Sequence, residues 1–304
     1  MREMTTARGH LRCREPMTKH TSWRVGGPAD RFYQPADLAD LAVYLSRLPT
    51  DEPLVWIGLG SNLLVRDAGI RGTVISTTGG LTRCDFVNPS LLRVEAGVPC
   101  AKVARFSAKG GLTGAEFLAG IPGTLGGALA MNAGAFGGET WDSVTHVETV
   151  NSSGVQHVRS RGEYQTGYRY ISKPKREWFT AAYLALEPDP EAQALERIKA
   201  LLASRVDAQP IGQASCGSVF RNPPGDHAAR FIEASGLKGL RIGQVRVSEK
   251  HANFMINLGG ATAVDIENLI CRVRNTVDYD HGIRLELEVQ IIGEQQKLDL
   301  CCGT

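Results

Sequence analysis

Leu38, Leu41, Ala42 and Leu45 fall at i, i+3, i+4 and i+7 between Pro35 and Pro49, which predicts a short helix over Leu38–Leu48. The same reading predicts helices over Val103–Ala108, stopping at Gly110-Gly111, and over Ala192–Ser204. Two more fall at Ala228–Ala234, with Gly236 as its stop, and at Ala263–Tyr279. Compact or alternating apolar runs predict strands at Leu54–Ile57, Val74–Ser76, Leu91–Ala96, Phe179–Leu186, Phe254–Ile256 and Leu285–Ile292. Cys216–Phe220 reads as a polar turn entering another strand, and Val144–Val150 with Val155–Val158 as a hairpin about Ser152-Ser153-Gly154. Short strands alternating with helices mark an α/β or α+β chain, and Pro188-Asp189-Pro190 is its most plausible major boundary.

One tract breaks this pattern. Gly110–Gly138 holds ten glycines in 29 residues, yet Phe117, Leu118, Ile121, Leu125, Leu129, Met131 and Phe136 run through it. A solvent linker lacks such anchors. Missing side chains between apolar anchors describe backbone packed closely against a ligand or a neighbouring chain segment. Glycine is also the compositional outlier of the whole sequence, 34 of 304 residues, without the every-third repeat of collagen.

Other bulk properties mainly exclude. With 42% hydrophobic and 22% charged residues the chain is expected to be globular, and a net charge of +2 gives no broad nucleic-acid surface. The least polar long stretch, Gly111–Met131, contains Glu116, Pro122 and several glycines, so no membrane helix is expected. Arg2, Arg8, Arg12 and Arg14 precede no apolar run, which argues against a secretory signal. Seven scattered cysteines without a C-x-x-C read as free thiols of a cytoplasmic protein, with Cys301 and Cys302 incidental, and no metal-ligand spacing occurs among the seven histidines.

Gly58-Leu59-Gly60-Ser61-Asn62-Leu63 follows an apolar strand, but Leu63 stands where the dinucleotide fingerprint needs its third glycine. No Walker A sequence occurs either. The loop nevertheless offers backbone N–H groups and a hydroxyl to a phosphate. Arg24 beside Gly26-Gly27, and Gly120 to Gly127 with Thr124, offer companion cradles; an ordinary tight turn is the alternative for each.

Three other places carry polar groups. Arg169 lies between Tyr168 and Tyr170 and suits a carboxylate or developing negative charge, against the reading of a surface arginine. Ser218 in Gly217-Ser218-Val219-Phe220 is a proton donor or a turn hydroxyl, and lacks the nucleophile elbow of a hydrolase. Cys216 is a weaker candidate nucleophile because no histidine partner is evident. Glu286 and Glu288 share one face of the closing strand, as solvent-facing acids or as an acid reaching the interior.

Taken in order, these tracts resemble the UDP-N-acetylenolpyruvoylglucosamine reductases, the MurB-type flavoenzymes. The resemblance rests on Arg24–Ala29, Gly58–Val65, Glu116–Gly127, Met131–Glu139, Gly167–Arg169, Gly217–Asn222, Gly236–Gly239 and Lys250–Asn253. It covers nearly the whole chain after the first fifteen or so residues, and without a long insertion after Tyr168 the chain looks like the shorter subgroup. It implies an α+β fold: a PCMH-type FAD-binding module of two α+β subdomains, residues 1–76 and 77–188, followed by an α+β substrate-binding domain, residues 189–304, whose last strand could pack back on the module.

The resemblance further implies noncovalent FAD, NADPH as hydride donor and no metal. Arg24, Gly58, Gly60, Ser61, Asn62, Leu63, Gly120, Thr124, Gly126 and Gly127 would contact the cofactor. NADPH would reduce the flavin and leave, and the UDP-sugar enolpyruvyl ether would then receive hydride at its terminal carbon. Arg169 and Glu288 would stabilise the enolate-like state and Ser218 would donate the proton. Tyr168 would contact substrate. Arg221, Asn222 and Lys238 are further substrate-contact candidates, the two cations for the diphosphate. The expected partners are these small molecules alone, with no nucleic acid and no membrane, on a monomeric cytoplasmic enzyme of peptidoglycan synthesis. Two rivals remain at this stage: a sugar or hydroxy-acid oxidase of the same fold, and a nucleotide-sugar binding protein with a dead site.

Overall fold

The computed structural model describes residues 7–295, so Cys301 and Cys302 lie outside the described residues. Strands of three or more residues are β1 (His10–Pro16), β2 (Pro28–Gln34), β3 (Leu54–Ile57), β4 (Leu63–Val65), β5 (Ile70–Ser76), β6 (Cys84–Asn88) and β7 (Leu91–Glu95). They continue as β8 (Val144–Asn151), β9 (Gln156–Ser160), β10 (Glu177–Ala185), β11 (Val245–Val247), β12 (Met255–Asn257) and β13 (Gln290–Ile292). The helices are α1 (Leu38–Leu45), α2 (Cys100–Lys109), α3 (Leu125–Met131), α4 (Ala194–Ala208), α5 (Ala228–Ala234) and α6 (Ala263–His281). Strands and helices are mixed and antiparallel pairing prevails, so the fold is α+β.

The chain forms two compact units. The first takes residues up to Arg12, Phe32–Leu59 and Val74–Ile211; the second takes Cys13–Arg31, Gly60–Thr73 and the chain from Gly212. The boundary falls inside β1, β2 and β5, which with β3 form a sheet in the order β1-β2-β5-β3. A division at residues 76 and 188 remains a proposal about folding modules.

In the first unit, β9-β8-β10-β7-β6 make an antiparallel five-stranded sheet. Leu92, Val94, Val147 and Leu184 of its strands join Val103, Leu125, Leu129 and Trp141 in one buried core. The Trp141 indole donates to Leu129 O at 2.9 Å, which satisfies the polar edge of that large ring.

In the second unit, Arg241–Ile242, β11 and β12 form a small antiparallel sheet, while β13 runs parallel to β4 with Gln290 opposite Leu63. Ile266, Leu269, Ile270, Val273 and Val277 give α6 a buried face at helical spacing. The Thr262 hydroxyl accepts from Asp265 N at 3.1 Å, and Asp67 accepts from Ala263 N and Val264 N, so side chains satisfy the first-turn donors. Gly282, at φ +66°, ends the helix.

Two expected strands are shorter in the structure. Cys216–Phe220 contributes only an isolated bridge, Phe220 to Leu287, and among the described residues from Leu285 onward regular pairing is confined to β13. The reason is a change of partner. Glu288 N and Val289 N donate to Val219 O, whereas Gln290 N donates to Asn62 O. A run divided between two partners keeps its alternation, with Leu285 and Val289 buried and Glu286 exposed, without one continuous ladder.

Candidate active site

The glycine-rich tract of the first unit builds a cradle. Glu116–Gly120 forms a 3-10 turn, the chain extends through Ile121, and Thr124 stands at the N-cap of α3. Its hydroxyl makes no cap bond: Oγ1 is buried and without a hydrogen-bond partner. Leu125 N and Gly126 N donate to Val98 O and Ala96 O, at 2.9 and 2.8 Å. This close approach explains Gly126, since a Cβ there would lie 2.8 Å from Ala96 Cβ. Gly58, at the end of β3, comes so close to Thr124 that a Cβ would overlap its hydroxyl. A Cβ on Gly127 meets nothing nearer than Thr124 Oγ1, at 3.8 Å, and points into open space. Ile57, Gly58, Thr77, Gly126, Gly127 and Ala130 line a cavity of about 170 Å³ at this place. Two glycine segments that the sequence offers separately, one ending β3 and one opening α3, therefore meet here.

These residues fit part of a dinucleotide cofactor. The buried, unpartnered Thr124 hydroxyl lacks the hydrogen bond that buried polar groups normally make, and a Gly127 side chain would take up ligand space. Gly120 does not line this cavity, and its missing side chain makes room for the Phe136 ring.

Gly60, Ser61, Asn62 and Leu63 continue into the second unit. Gly60 has φ +63°, Ser22 N donates to its carbonyl at 3.1 Å, and a Cβ would overlap His20 O. Asn62 Nδ2 donates to Glu288 O at 3.0 Å. The Arg24 turn packs on the following segment, where Gly27 N donates to Arg66 O and a Gly27 side chain would overlap Asp67 O. Arg24 itself is exposed and left-handed, at φ +58°.

Arg169 occupies the tip of a two-residue hairpin in the first unit, with Gly167 opposite Tyr170. Its φ is +53°, a region that favours glycine, so the turn keeps a guanidinium at a backbone cost. The guanidinium lies over the Tyr168 ring, 4.9 Å from its centroid, and Nη2 donates to Gly134 O at 3.1 Å. Asn132, buried and left-handed at φ +47°, ties the surroundings together. Its Nδ2 donates to Glu139 Oε2 and Gly167 O, and its Oδ1 accepts from Trp141 N.

Ser218 and Glu288 lie in the second unit, both half-buried. Glu288 N donates to Val219 O at 2.9 Å, so the acid is pinned beside the residue that follows Ser218. On the other side, Asn253 clamps the same strip: Phe220 N donates to its Oδ1 at 3.0 Å and its Nδ2 donates to Phe220 O at 2.8 Å. Val219 N donates to Asn253 O. Neither asparagine stood out as a site residue in the sequence, although each lies in a tract that carries the resemblance; a polar residue next to small or aromatic neighbours was the available signal. Cys216 is fully enclosed, and burial pushes its thiol well up, with Glu288 adding to the shift. A thiol so held is not a nucleophile near neutral pH.

The remaining substrate candidates also belong to this unit. Asn222 Oδ1 accepts from Ala228 N at 3.1 Å, holding the start of α5. Lys238 Nζ pairs with Glu233 at 2.7 Å. Arg221 lies 3.9 Å from Glu286, and its Nε is buried without a hydrogen-bond partner. Tyr168 is exposed. Among the described residues no cluster of histidine, cysteine, aspartate or glutamate could hold a metal, and no helix is long and apolar enough to cross a membrane.

A family model described as "FAD binding domain" matches residues 29–159. A second, described as "UDP-N-acetylenolpyruvoylglucosamine reductase, C-terminal domain", matches residues 209–292. The cradle and the first match together define a protein that binds FAD. Proteins named UDP-N-acetylenolpyruvoylglucosamine reductase from Alkalilimnicola ehrlichii and Methylococcus capsulatus are 61% and 58% identical, covering 95% and 97% of this chain and 96% and 97% of their own. The crystal structure of the corresponding reductase from Thermus caldophilus superposes with a TM-score of 0.81 at 34% identity, covering 94% of this chain and 99% of that one. The chain belongs to the UDP-N-acetylenolpyruvoylglucosamine reductase family.

Proposed function

We propose that Arg169, Ser218 and Glu288 carry the family's reaction in this chain. The reaction is the NADPH-dependent reduction of UDP-N-acetylglucosamine enolpyruvate to UDP-N-acetylmuramate, a step of peptidoglycan precursor synthesis. FAD, when bound, supplies to the enolpyruvyl double bond the hydride it has taken from NADPH. Gly58, Thr124, Gly126 and Gly127 would hold it in the first unit, with Arg24, Gly60, Ser61, Asn62 and Leu63 as contacts from the second.

The protein's own residues then handle charge and proton. The Arg169 guanidinium engages the substrate carboxylate and stabilises the negative charge that develops beside it. Glu288 turns its carboxyl group to the same enolate-like state. Ser218 donates its Oγ proton to the second carbon, completing addition across the double bond. A serine hydroxyl is a weak acid, so this transfer requires a strongly basic, well-aligned carbon. The observation that supports the assignment is the strip 218–221, held by Asn253 on one side and by 286–289 on the other. It fixes the serine and the acid to neighbouring backbone positions.

Tyr168, Arg221, Asn222 and Lys238 complete the proposed substrate contacts. The short Tyr168-Arg169 hairpin fits the shorter subgroup of the family, and a monomeric, cytoplasmic enzyme with small molecules as its partners is the corresponding setting. One anaerobic experiment tests the function. NADPH should bleach the flavin of the purified protein, and UDP-N-acetylglucosamine enolpyruvate should restore the oxidised spectrum. A flavin that NADPH reduces but the enolpyruvyl ether leaves reduced would overturn the reading.

A further inference from the structure

The cofactor cavity of the first unit has a second wall that the glycine tracts do not predict. Trp56 of β3 and Trp178 of β10 line it, stacked with ring centroids 5.2 Å apart and planes 14° from parallel. The Trp56 Nε1 hydrogen is buried without an acceptor, as is the Thr124 hydroxyl on the opposite segment. Lys173 joins the lining, and no carboxylate pairs with it among the described residues. Although Lys173 presents much of its surface to solvent, the protein around its ammonium lowers its pKa, and no acid offsets that effect. The wall therefore combines a flat aromatic shelf, unused donors and an uncompensated cation. Its complement is a flat ring with acceptor nitrogens, next to phosphate.

FAD carries two ring systems, and the structure distinguishes between them. The reacting isoalloxazine has to lie beside Arg169, given the function proposed above, and Arg169 does not line this cavity. No carboxylate lines it either. Its volume, about 170 Å³, suits a purine better than the larger three-ring flavin; a cavity near 150 Å³ already accepts benzene. We infer that Trp56, backed by Trp178, and Lys173 form the seat of the adenosine diphosphate half of FAD, the indole N–H meeting a purine nitrogen and the ammonium a phosphate. This inference rests on the FAD assignment and adds which residues select a dinucleotide over FMN.

The test compares FAD with FMN on apoprotein, read by flavin fluorescence and calorimetry without turnover. Trp56→Leu and Lys173→Gln should each weaken FAD about 10–100-fold and leave FMN affinity unchanged, since FMN lacks the adenosine end. Trp56→Phe, which keeps a ring and loses only the N–H, should cost less than Trp56→Leu. ADP alone should change the tryptophan emission of wild-type apoprotein and should not do so in Trp56→Leu. Equal weakening of FAD and FMN would place the flavin half at this wall and overturn the inference, as would undiminished FAD affinity in Trp56→Leu. Failure of the wild-type apoprotein to bind FAD at all would instead overturn the cofactor assignment itself.

Discussion

The cradle of the first unit and the Ser218 strip of the second solve opposite problems. Around α3 the chain removes side chains: Gly126 lets the backbone pass close to Ala96, Gly58 makes room for the Thr124 side chain, and Gly127 leaves space open beside an unused hydroxyl. Around Ser218 the chain adds polar side chains, and Asn253 with Asn62 uses up backbone donors and acceptors on both sides of the strip. A cofactor that stays bound needs a shaped surface, which glycine supplies by absence. A proton donor needs a fixed position, which hydrogen bonds supply by presence.

The largest expected effect separates these two tasks. Ser218→Ala should slow reoxidation by the enolpyruvyl substrate by about 10²–10⁴-fold, the usual contribution of a general acid. FAD content and reduction by NADPH should stay at wild-type values, because the cradle is untouched. Stopped-flow measurement of both half-reactions decides it: equal slowing of the two would point to a displaced flavin, and normal turnover would exclude Ser218 as donor.

Gly127→Val tests the other side. Its branched side chain would enter the cavity, and the FAD Kd should rise roughly 10–100-fold, about 1.4–2.8 kcal/mol. Titration of apoprotein with FAD measures this, and unchanged affinity would break the contrast between missing and added side chains.

A smaller effect concerns what keeps the first unit's sheet intact. Arg93 grips Glu148 through two hydrogen bonds of 2.7 and 2.6 Å, and Tyr183 adds a third of 2.8 Å. The Arg93 hydrogen bonds hold the Glu148 carboxyl below the usual carboxylate range. A depressed folded pKa means stability that is fully present above the unfolded value, about 4.3, and lost as pH falls through the folded one. Glu148→Gln should therefore cost about 1–2 kcal/mol at pH 7, with the difference from wild type closing below pH ~4. Urea midpoints at pH 7 and pH 3.5 check both the size and the sign.

Regular elements were legible in the sequence because their apolar spacing is local. α5 spans Ala228–Ala234 and α6 begins at Ala263, both as the periodicity predicts. The hairpin at Val144–Ser160 and the strand at Leu54 follow for the same reason. The closing strand did not, because its change of partner at Val289 depends on Asn62, more than two hundred residues away. The site divides in the same way. Glycine tracts announce a cradle by composition, but Trp56 reads as an ordinary strand residue and Trp178 falls just before a predicted strand, until the fold stacks them. Asn253 likewise gains its meaning only from the Phe220 backbone it faces.

The path of the chain through β1, β2 and β5 has a consequence for biosynthesis. The boundary between units is crossed at Arg12/Cys13, Arg31/Phe32, Leu59/Gly60, Thr73/Val74 and Ile211/Gly212, so the second unit is assembled from three separate lengths of polypeptide. Trp23 waits for Met255, 232 residues later, and Asn62 waits for Glu288, 226 residues later. At a translation speed of roughly 5–20 residues per second, each early segment spends about 10–50 s outside the ribosome without its partner. Trp23 and Leu64, both fully buried in the finished unit, are exposed during that interval. The glycine-built unit can close on the nascent chain as soon as Ile211 emerges, whereas the unit that holds Ser218 cannot close until β13 has been made. Nascent-chain surveillance by chaperones would therefore bear on the second unit first, and any slowing of translation past residue 211 lengthens its period of risk.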